Sequence, residues 1–309
     1  MSEPLVLISV PLLAVLEPAF KSGGLSTARA WELSDEERPR VRAIVHAGEF
    51  VLAPEFLETL PGLGLIACVS VGYDGVDVAW CRAHGIEVTH ADGLNAEDVA
   101  DHAIGLMLAA WRNIPALDGA IRGGRWRDED RIGAQASLGG RTLGIVGLGH
   151  IGEAVARRAE VFRLNVQWWA PRAKAAAWPR AESLLDLAQT SDILVVACRA
   201  EASNRGMISR EVIEAVGPTG LIVNVARGSL IDEDALISAL NDGRLARAAL
   251  DVFAAEPTPA ERWADLPNVV LTPHTAGSSN EAIPLMVAQA VDNVRRFLAG
   301  EALASPVAG

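Results

Sequence analysis

Short apolar runs alternate with amphipathic stretches along the whole chain, a pattern typical of a parallel β-sheet covered by helices. Four strands are predicted where these runs fall in the first part of the sequence, at 5–10, 43–47, 65–71 and 87–89. Helical periodicity predicts helices between them at 54–60 and 78–83. The second of these ends before His84 and Gly85, with glycine in the position favoured for a C-cap. These elements predict a small α/β domain.

A long apolar stretch predicts a helix from 97 to 111. Asn95 occupies its N-cap position, with Asp98 three residues further on, a start similar to a capping box. Because the stretch is apolar along much of its length, we expect this helix to be buried between domains or subunits. A final helix is predicted at 281–299.

Strands and helices alternate in the second part of the chain as well. Six strands are predicted there, at 141–146, 165–169, 193–197, 221–225, 248–252 and 269–272. The chain is therefore assigned to the α/β class, with two doubly wound, Rossmann-like parallel-sheet domains and an active-site cleft between them. If the final helix returns to the first domain, that domain is flavodoxin-like and discontinuous, with residues 1–96 and 284–309, and 97–283 form the second. The loop 122–140, rich in Gly and Arg, is expected to be flexible or to contact a partner.

A glycine-rich turn joins the strand at 141–146 to a helix predicted at 153–162. It has the pattern G-x-G-x-x-G and comprises Gly147, Leu148, Gly149, His150, Ile151 and Gly152. In such a turn one glycine allows a tight bend, the next lets the backbone approach a pyrophosphate, and the third lets helix pack on strand. The phosphates would lie at the helix N-terminus, where N–H groups and the helix dipole favour negative charge. With its flanking strand and helix, the turn identifies 97–283 as a dinucleotide-binding Rossmann domain.

Three polar residues follow successive strands of this domain, namely Arg227, Glu256 and His274. Open α/β sheets bind ligands beyond the carboxyl ends of their strands. A guanidinium can grip a carboxylate with two hydrogen bonds, and imidazole exchanges protons near neutral pH. A carboxylate beside that imidazole would fix its tautomer and favour its protonated form. Each residue alone is more often structural, but their order after three successive strands, downstream of a nucleotide turn, raises the joint interpretation, in which together they could reduce a 2-oxo acid.

The composition restricts the partners and the cellular location that we expect for the protein. The formal net charge is −12 over 309 residues without a Lys/Arg-rich block, which argues against nucleic acid and an anionic membrane surface as partners. The three cysteines form no C-x-x-C pair, so we expect reduced thiols, no metal site and a cytoplasmic location. The N-terminus lacks the basic segment of a signal peptide, and no apolar run has transmembrane length.

Six ordered motifs span most of the chain. They are VSVGYDGVD at 69–77, NAEDVADH at 95–102, GLGHIG at 147–152, NVARG at 224–228, DVFAAEP at 251–257 and PHTAG at 273–277. In these motifs the chain resembles the D-isomer-specific 2-hydroxyacid dehydrogenases. Their order and spacing make the resemblance highly specific.

The resemblance implies a role for each of the candidate residues. His274 would protonate the substrate's carbonyl oxygen as hydride moves from nicotinamide, Glu256 would hydrogen-bond His274, and Arg227 would hold the carboxylate and carbonyl. Backbone N–H groups of Val71 and Gly72 would take the other side of the carboxylate, where glycine lets the backbone approach closely. Further cofactor contacts are expected at Cys198, Ala226, Arg227, Asp251, His274 and Gly277.

The end of the second strand of the nucleotide domain bears on the form of the cofactor. NAD-specific sites place an acidic residue there to bond the ribose 2′-OH, whereas NADP sites remove it and supply an arginine. Here Ala170 stands where the carboxylate is expected, and Arg172 follows with Lys174 nearby. Arg199, after the strand at 193–197, is a second candidate near the adenine end. The sequence favours NADP, with NAD possible if Arg172 and Lys174 form only a solvated loop.

Within this family, Pro273 stands where formate dehydrogenases carry Gln, and the short architecture is most like the glyoxylate and hydroxypyruvate reductases. The walls of the substrate pocket are expected near Leu52, Val71 and Trp126, so a bulkier substrate such as an aryl pyruvate stays open as an alternative. A nucleotide-sensing protein, similar to the transcriptional corepressors of this fold, is the other alternative. Asn95 matches a family position near the cleft, although its capping role explains it equally well. The resemblance implies a homodimer formed through the nucleotide domains.

Overall fold

The computed structural model describes residues 3–126 and 134–307, so 127–133 of the predicted loop 122–140 lie outside the described residues. The strands are β1 (Leu5–Ile8), β2 (Ser26–Arg29), β3 (Val41–His46), β4 (Leu65–Cys68), β5 (Glu87–Thr89), β6 (Thr142–Val146), β7 (Asn165–Trp169), β8 (Ile193–Val196), β9 (Leu221–Asn224), β10 (Arg247–Leu250) and β11 (Val269–Leu271). The helices are α1 (Glu17–Ser22), α2 (Pro54–Leu57), α3 (Val78–Ala83), α4 (Ala96–Trp111), α5 (Ile114–Arg122), α6 (His150–Val161), α7 (Leu184–Gln189), α8 (Arg210–Val216), α9 (Glu233–Asn241) and α10 (Ala282–Ala299). The chain divides into two compact units. Unit 1 comprises Met1–Asn95 and Ser279–Gly309, and unit 2 comprises Ala96–Ser278.

Unit 1 is built on a sheet of five parallel strands in the order β2-β1-β3-β4-β5. Strands β1 and β4 are buried throughout, because helices cover both faces of the sheet. One face packs on α2 and α3. The other face packs on α1 and on α10, whose Val287, Ala290 and Val294 are buried there. The last helix of the chain therefore completes the core of the first unit.

Unit 2 is built on a sheet of six parallel strands in the order β11-β10-β9-β8-β6-β7. The chain passes from β6 to β7 on one side and then crosses to β8 on the other, so the topological switch point lies beside β6. Helices α4 and α6 pack on one face of this sheet, and α7, α8 and α9 pack on the other. The glycine turn starts at the carboxyl end of β6, which is where such sheets bind their ligands.

The two parallel-sheet α/β domains predicted from the sequence are confirmed. The predicted domain boundaries were 96/97 and 283/284, and the two units meet at 95/96 and 278/279. Strand β2 and helices α1 and α5 were not predicted. Strand β2 lies at a sheet edge and consists of half-exposed, mostly polar residues, so no apolar run marks it.

Two boundaries differ from the prediction in ways that matter for the site. Strand β4 ends at Cys68 instead of 71, and residues 69–71 leave the sheet as a loop. Helix α6 begins at His150 instead of 153, so the glycine turn itself forms the start of the helix. The loop after β4 therefore starts earlier than the apolar pattern indicates, and the helix after the glycine turn starts earlier as well.

The start of α4 differs from the expected capping box. The side-chain oxygen of Asn95 is buried and accepts no hydrogen bond within the described residues, so Asn95 does not cap the helix. The apolar side of α4, predicted to be buried, packs against α6 and the sheet of unit 2. In the part of the chain that the structure describes, no helix has both the length and the apolar character needed to cross a bilayer.

Candidate active site

The three glycines of the turn after β6 have three different surroundings. Gly147 has φ +92°, a left-handed conformation that favours glycine, and a Cβ there would lie 2.5 Å from the Cα of Cys198. A Cβ on Gly152 would overlap the carbonyl oxygen of Gly147, because helix and turn are in backbone contact. A Cβ on Gly149 would meet no atom of the described residues within 4 Å. The first and third glycines thus serve the fold, and the space at the second is open to a ligand.

The N-terminus of α6 suits an anion. Gly149 is its N-cap and supplies no side-chain hydrogen bond to the first turn. The first-turn N–H groups of a helix have no acceptor within the helix, and its dipole favours negative charge there. Leu148 is buried and anchors the turn in the core, and Ile151 is half-buried. The residues predicted to hold a pyrophosphate therefore fit that group.

Three further predicted cofactor contacts follow other strands of the same sheet. Cys198 follows β8 and packs against Gly147, and burial raises the pKa of its thiol to about 11, so the thiol is neutral near pH 7. Ala226 follows β9, where its N–H donates to Oδ1 of Asn224 at 3.0 Å. Gly277 lies after β11 and is half-buried. All three come from the carboxyl edge of the sheet, as predicted.

The ribose end of the site follows β7. Ala170 is half-buried at the end of the strand, and Arg172 is exposed just beyond it. Lys174 pairs with Glu153 of α6, and this hydrogen bond lowers the pKa of the carboxyl group. Glu153 therefore largely neutralises the positive charge of Lys174. Sequence reasoning missed Arg180, which donates from Nη2 to the carbonyl oxygen of Ala170 at 2.8 Å and brings another guanidinium to this turn.

Glu256 and His274 form a hydrogen-bonded pair. Glu256 Oε2 lies 2.7 Å from Nδ1 of His274, and Oε1 accepts a hydrogen bond from the Phe253 N–H at 2.9 Å. The bond to Glu256 raises the pKa of His274, against burial and the charge of Arg227. Burial opposes ionisation of Glu256, but bonds from His274 and the Phe253 N–H outweigh it and lower its pKa. Nδ1 is therefore the donor to Glu256, which leaves Nε2 to exchange a proton with a substrate.

Arg227 stands where the loops after β9 and β10 touch. A Cβ on Gly228 would overlap the backbone of Phe253, so only glycine allows this contact. Nη1 of Arg227 donates to the carbonyl oxygen of Ala226 at 2.8 Å. Its positive charge acts on both Glu256 and His274. Unit 2 thus brings the three predicted catalytic residues together.

Asp251 holds the segment that carries His274. Its carboxylate is 1% exposed and accepts hydrogen bonds from Thr272 Oγ1 at 2.6 Å and from the N–H groups of Thr275 and Ala276 at 3.0 and 2.9 Å. Its carbonyl oxygen accepts the His274 N–H at 2.7 Å. Asp251, predicted as a cofactor contact, therefore holds in place the turn that carries His274.

Thr272 links this network to α4. Because its hydroxyl donates to Asp251, its oxygen must accept the bond from Nε2 of His102 at 2.9 Å. His102 lies inside the motif at 95–102, but nothing local in the sequence indicates that it reaches a residue at 272. It fixes the turn before His274 from the side of a helix.

The predicted substrate contacts of unit 1 lie in the loop after β4. Val71 and Gly72 are half-buried there. Leu52, expected as a pocket wall, packs in the core of unit 1. Trp126, the other expected wall, lies in unit 2 and is 73% exposed. The roles of these residues stay predictions.

A family model supports the identity of the nucleotide-binding part. Residues 104–276 match the model described as D-isomer specific 2-hydroxyacid dehydrogenase, NAD binding domain. The matched range contains the glycine turn and all three predicted catalytic residues. It lies wholly within unit 2.

Individual relatives match over most or all of the chain. Glyoxylate/hydroxypyruvate reductase A of Arabidopsis thaliana is 36% identical over 309 residues, covering 98% of each chain. Hydroxyphenylpyruvate reductase of Plectranthus scutellarioides is 39% identical over 268 residues, covering 86% of this chain and 85% of its own. The structure of an NADPH-dependent glyoxylate/hydroxypyruvate reductase from Sinorhizobium meliloti, in complex with NADP and malonate, has a TM-score of 0.92 at 34% identity and covers 99% of this chain and 97% of that one.

Proposed function

Because the chain belongs to the D-isomer specific 2-hydroxyacid dehydrogenases, we propose that it reduces a small 2-oxo acid, of the glyoxylate or hydroxypyruvate class, to the D-2-hydroxy acid with NADPH. The observation that carries the proposal is the Glu256–His274 hydrogen bond of 2.7 Å next to Arg227. It provides a proton donor and an anchor for a carboxylate in one place. Relatives that reduce glyoxylate and hydroxypyruvate support the choice of substrate.

Each residue of the set has one task in this reaction. The bound nicotinamide supplies the hydride. His274 donates the proton on Nε2 to the substrate's carbonyl oxygen, and Glu256 holds the imidazole in the tautomer and charge state that make this possible. Arg227 binds the carboxylate through its guanidinium. The N–H groups of Val71 and Gly72 are the further donors proposed for the substrate's carboxylate. In the reverse direction, neutral His274 is the base.

NADP is the proposed cofactor, with NAD as a weaker one. Ala170 supplies no carboxylate to repel a 2′-phosphate, and Arg172 and Arg180 bring positive charge to the same turn. The double substitution Ala170→Asp and Arg172→Ser should shift the ratio of kcat/KM for NADPH over NADH towards NADH. An unchanged ratio would refute this assignment.

An aryl pyruvate is the second candidate substrate, because hydroxyphenylpyruvate reductase matches at 39% identity. The two proposals differ in which 2-oxo acid has the higher kcat/KM. A panel of glyoxylate, hydroxypyruvate and 4-hydroxyphenylpyruvate, followed at 340 nm with NADPH and NADH, decides between them.

The same assay tests the acid/base assignment. His274→Ala should lose turnover while binding of NADPH, measured by fluorescence titration, survives. Near-normal rates in this variant would contradict the role of His274. No turnover with any 2-oxo acid in the wild type, despite tight binding of NADPH, would instead favour a nucleotide-sensing protein.

A homodimer formed through unit 2 is part of the proposal. Ile114 and Ile121 lie two turns apart on α5 and are exposed, and the exposed Trp126 follows this helix. Light scattering should give about twice the chain mass of 32.6 kDa, whereas 32.6 kDa would contradict a dimer. The cytoplasmic location also stays a prediction.

A further inference from the structure

The backbone after β4 has three successive carbonyl groups fixed by hydrogen bonds. The carbonyl oxygen of Ser70 accepts the N–H of Ala91 at 3.0 Å. That of Val71 accepts from Nδ1 of His90 at 3.0 Å. That of Gly72 accepts from the hydroxyl of Ser70 at 2.8 Å. Two of these three donors belong to the segment that follows β5.

A fixed carbonyl also fixes the N–H group of the next residue. In a trans peptide the C=O and N–H bonds lie in one plane and point in opposite directions. The bond from Ala91 therefore orients the N–H of Val71, and the bond from His90 orients the N–H of Gly72. Neither of these N–H groups donates to an acceptor in the described ranges, 3–126 and 134–307. They are the two donors proposed to bind the substrate carboxylate.

The imidazole of His90 is itself held in place. Its ring meets the ring of the buried Tyr73 edge-on, at 4.9 Å between centroids and 71° between planes. Its backbone N–H donates to the carbonyl oxygen of Ser305 at 3.2 Å. Because a carbonyl oxygen only accepts, Nδ1 must carry the proton in this bond.

The neighbouring loop supports the same backbone. The N–H of Gly48 donates to the Ser70 hydroxyl at 2.8 Å, and a Cβ on Gly48 would overlap the carbonyl oxygen of Gly72. The loops after β3 and β4 are therefore in direct backbone contact. This contact leaves the peptides at 70–72 little freedom to turn.

We propose that His90 is a positioning residue, which orients the Gly72 N–H towards the substrate carboxylate through its bond to the Val71 carbonyl. The inference rests on the proposed function, in which these amides bind a 2-oxo acid. An oriented donor loses less freedom on binding than a mobile one, so the His90 bond strengthens binding of the carboxylate. It does not touch the reacting carbonyl, so substrate affinity should depend on it more than the chemical step does.

Substitutions at His90 separate the donor from the bulk of the ring. His90→Leu removes the donor, and His90→Asn keeps an N–H donor close to the position of Nδ1. The Leu variant should raise KM for the 2-oxo acid by roughly threefold to tenfold, the effect of one lost hydrogen bond, with kcat and the Kd of NADPH within about twofold of the wild type. The Asn variant should restore the wild-type KM. The Kd of oxamate, a 2-oxo acid analogue that cannot accept hydride, should follow KM when titrated against the NADPH complex.

The controls guard against simple misfolding. His84→Leu replaces an exposed histidine of the same unit, stacked on Trp80 at 3.8 Å between ring centroids, and should change neither KM nor the Kd of oxamate. If His90→Leu lowers the Tm strongly, His90→Gln replaces it, because its amide lies one carbon further out and misses the Val71 carbonyl. If the Leu or Gln variant binds oxamate as tightly as the wild type does, the role of His90 is overturned while the proposed function stands. The same holds if the Asn variant has the KM and oxamate Kd of the Leu variant. A wild type that neither reduces 2-oxo acids nor binds oxamate overturns the proposed function, and the inference falls with it.

Discussion

Replacing Asp251 by Asn tests whether this buried carboxylate holds the catalytic histidine in place. His274 has φ +52°, a left-handed conformation that is costly for a residue with a Cβ. The Asp251 carbonyl oxygen binds the N–H of His274, and its carboxylate binds the N–H groups of Thr275 and Ala276. The strained residue is therefore held from both sides.

The size of the effect follows from the bonds that an amide cannot make. The carboxylate Oδ1 accepts from Thr272 and Thr275, and Oδ2 accepts from Ala276. In its best orientation Asn keeps an oxygen at Oδ1 and turns its NH₂ group towards the Ala276 N–H, donor against donor. One hydrogen bond to a charged group is lost, which costs about 2 kcal/mol. For a unit of this size, the loss corresponds to a fall in Tm of roughly 4–8 °C.

Calorimetry and steady-state kinetics measure the two consequences. If the lost energy appears as misplacement of His274, about 1.4 kcal/mol of it lowers kcat roughly tenfold. Asp265→Asn is the matched control, because Asp265 is an exposed aspartate of the same unit. A Tm and kcat of the Asp251→Asn variant that equal those of the control would refute the holding role.

Two further predictions follow from the site. The bond to Glu256 raises the pKa of His274, and reduction needs the protonated imidazole, so kcat/KM should fall as pH rises through that pKa. Glu256→Gln removes the carboxylate and lowers the pKa of His274, so the fall in kcat/KM should move to lower pH. A pH profile whose limb stays in place would contradict it. Gly152→Ala should destabilise unit 2, since its Cβ would overlap the Gly147 carbonyl oxygen, whereas Gly149→Ala should keep the wild-type Tm and weaken NADPH binding. Thermal unfolding and fluorescence titration of both variants check this, and equal Tm values would sink the argument.

Sequence periodicity predicts elements whose pattern is local. Every buried strand of the two sheets coincides with an apolar run, and the glycine turn was predicted together with the separate reasons for its glycines. Strand β2 was missed because a half-exposed edge strand has no apolar run. Helix α5 was missed as well, in the stretch between the predicted long helix and the loop at 122–140.

Local sequence periodicity does not predict contacts between residues that are far apart in the chain. The bond from His102 to Thr272 joins residues 170 positions apart, and Arg180 reaches Ala170 only because the chain turns back beside β7. Each of these residues alone looks like an ordinary polar residue on a helix or loop. Only the packing of the elements decides which partner such a side chain meets.

Unit 1 consists of two segments from opposite ends of the chain, and this sets the order in which the chain can fold during synthesis. The ribosome completes all of unit 2 before it releases α10, which covers one face of the sheet in unit 1. Until then, Val6, Ile8 and Ala43 on that face lack their apolar neighbours from α10. The nucleotide-binding unit can therefore fold first. Meanwhile the apolar face of the unit 1 sheet stays exposed on the growing chain and can bind chaperones. A chain that ends before 279 should keep a folded unit 2 and lose unit 1.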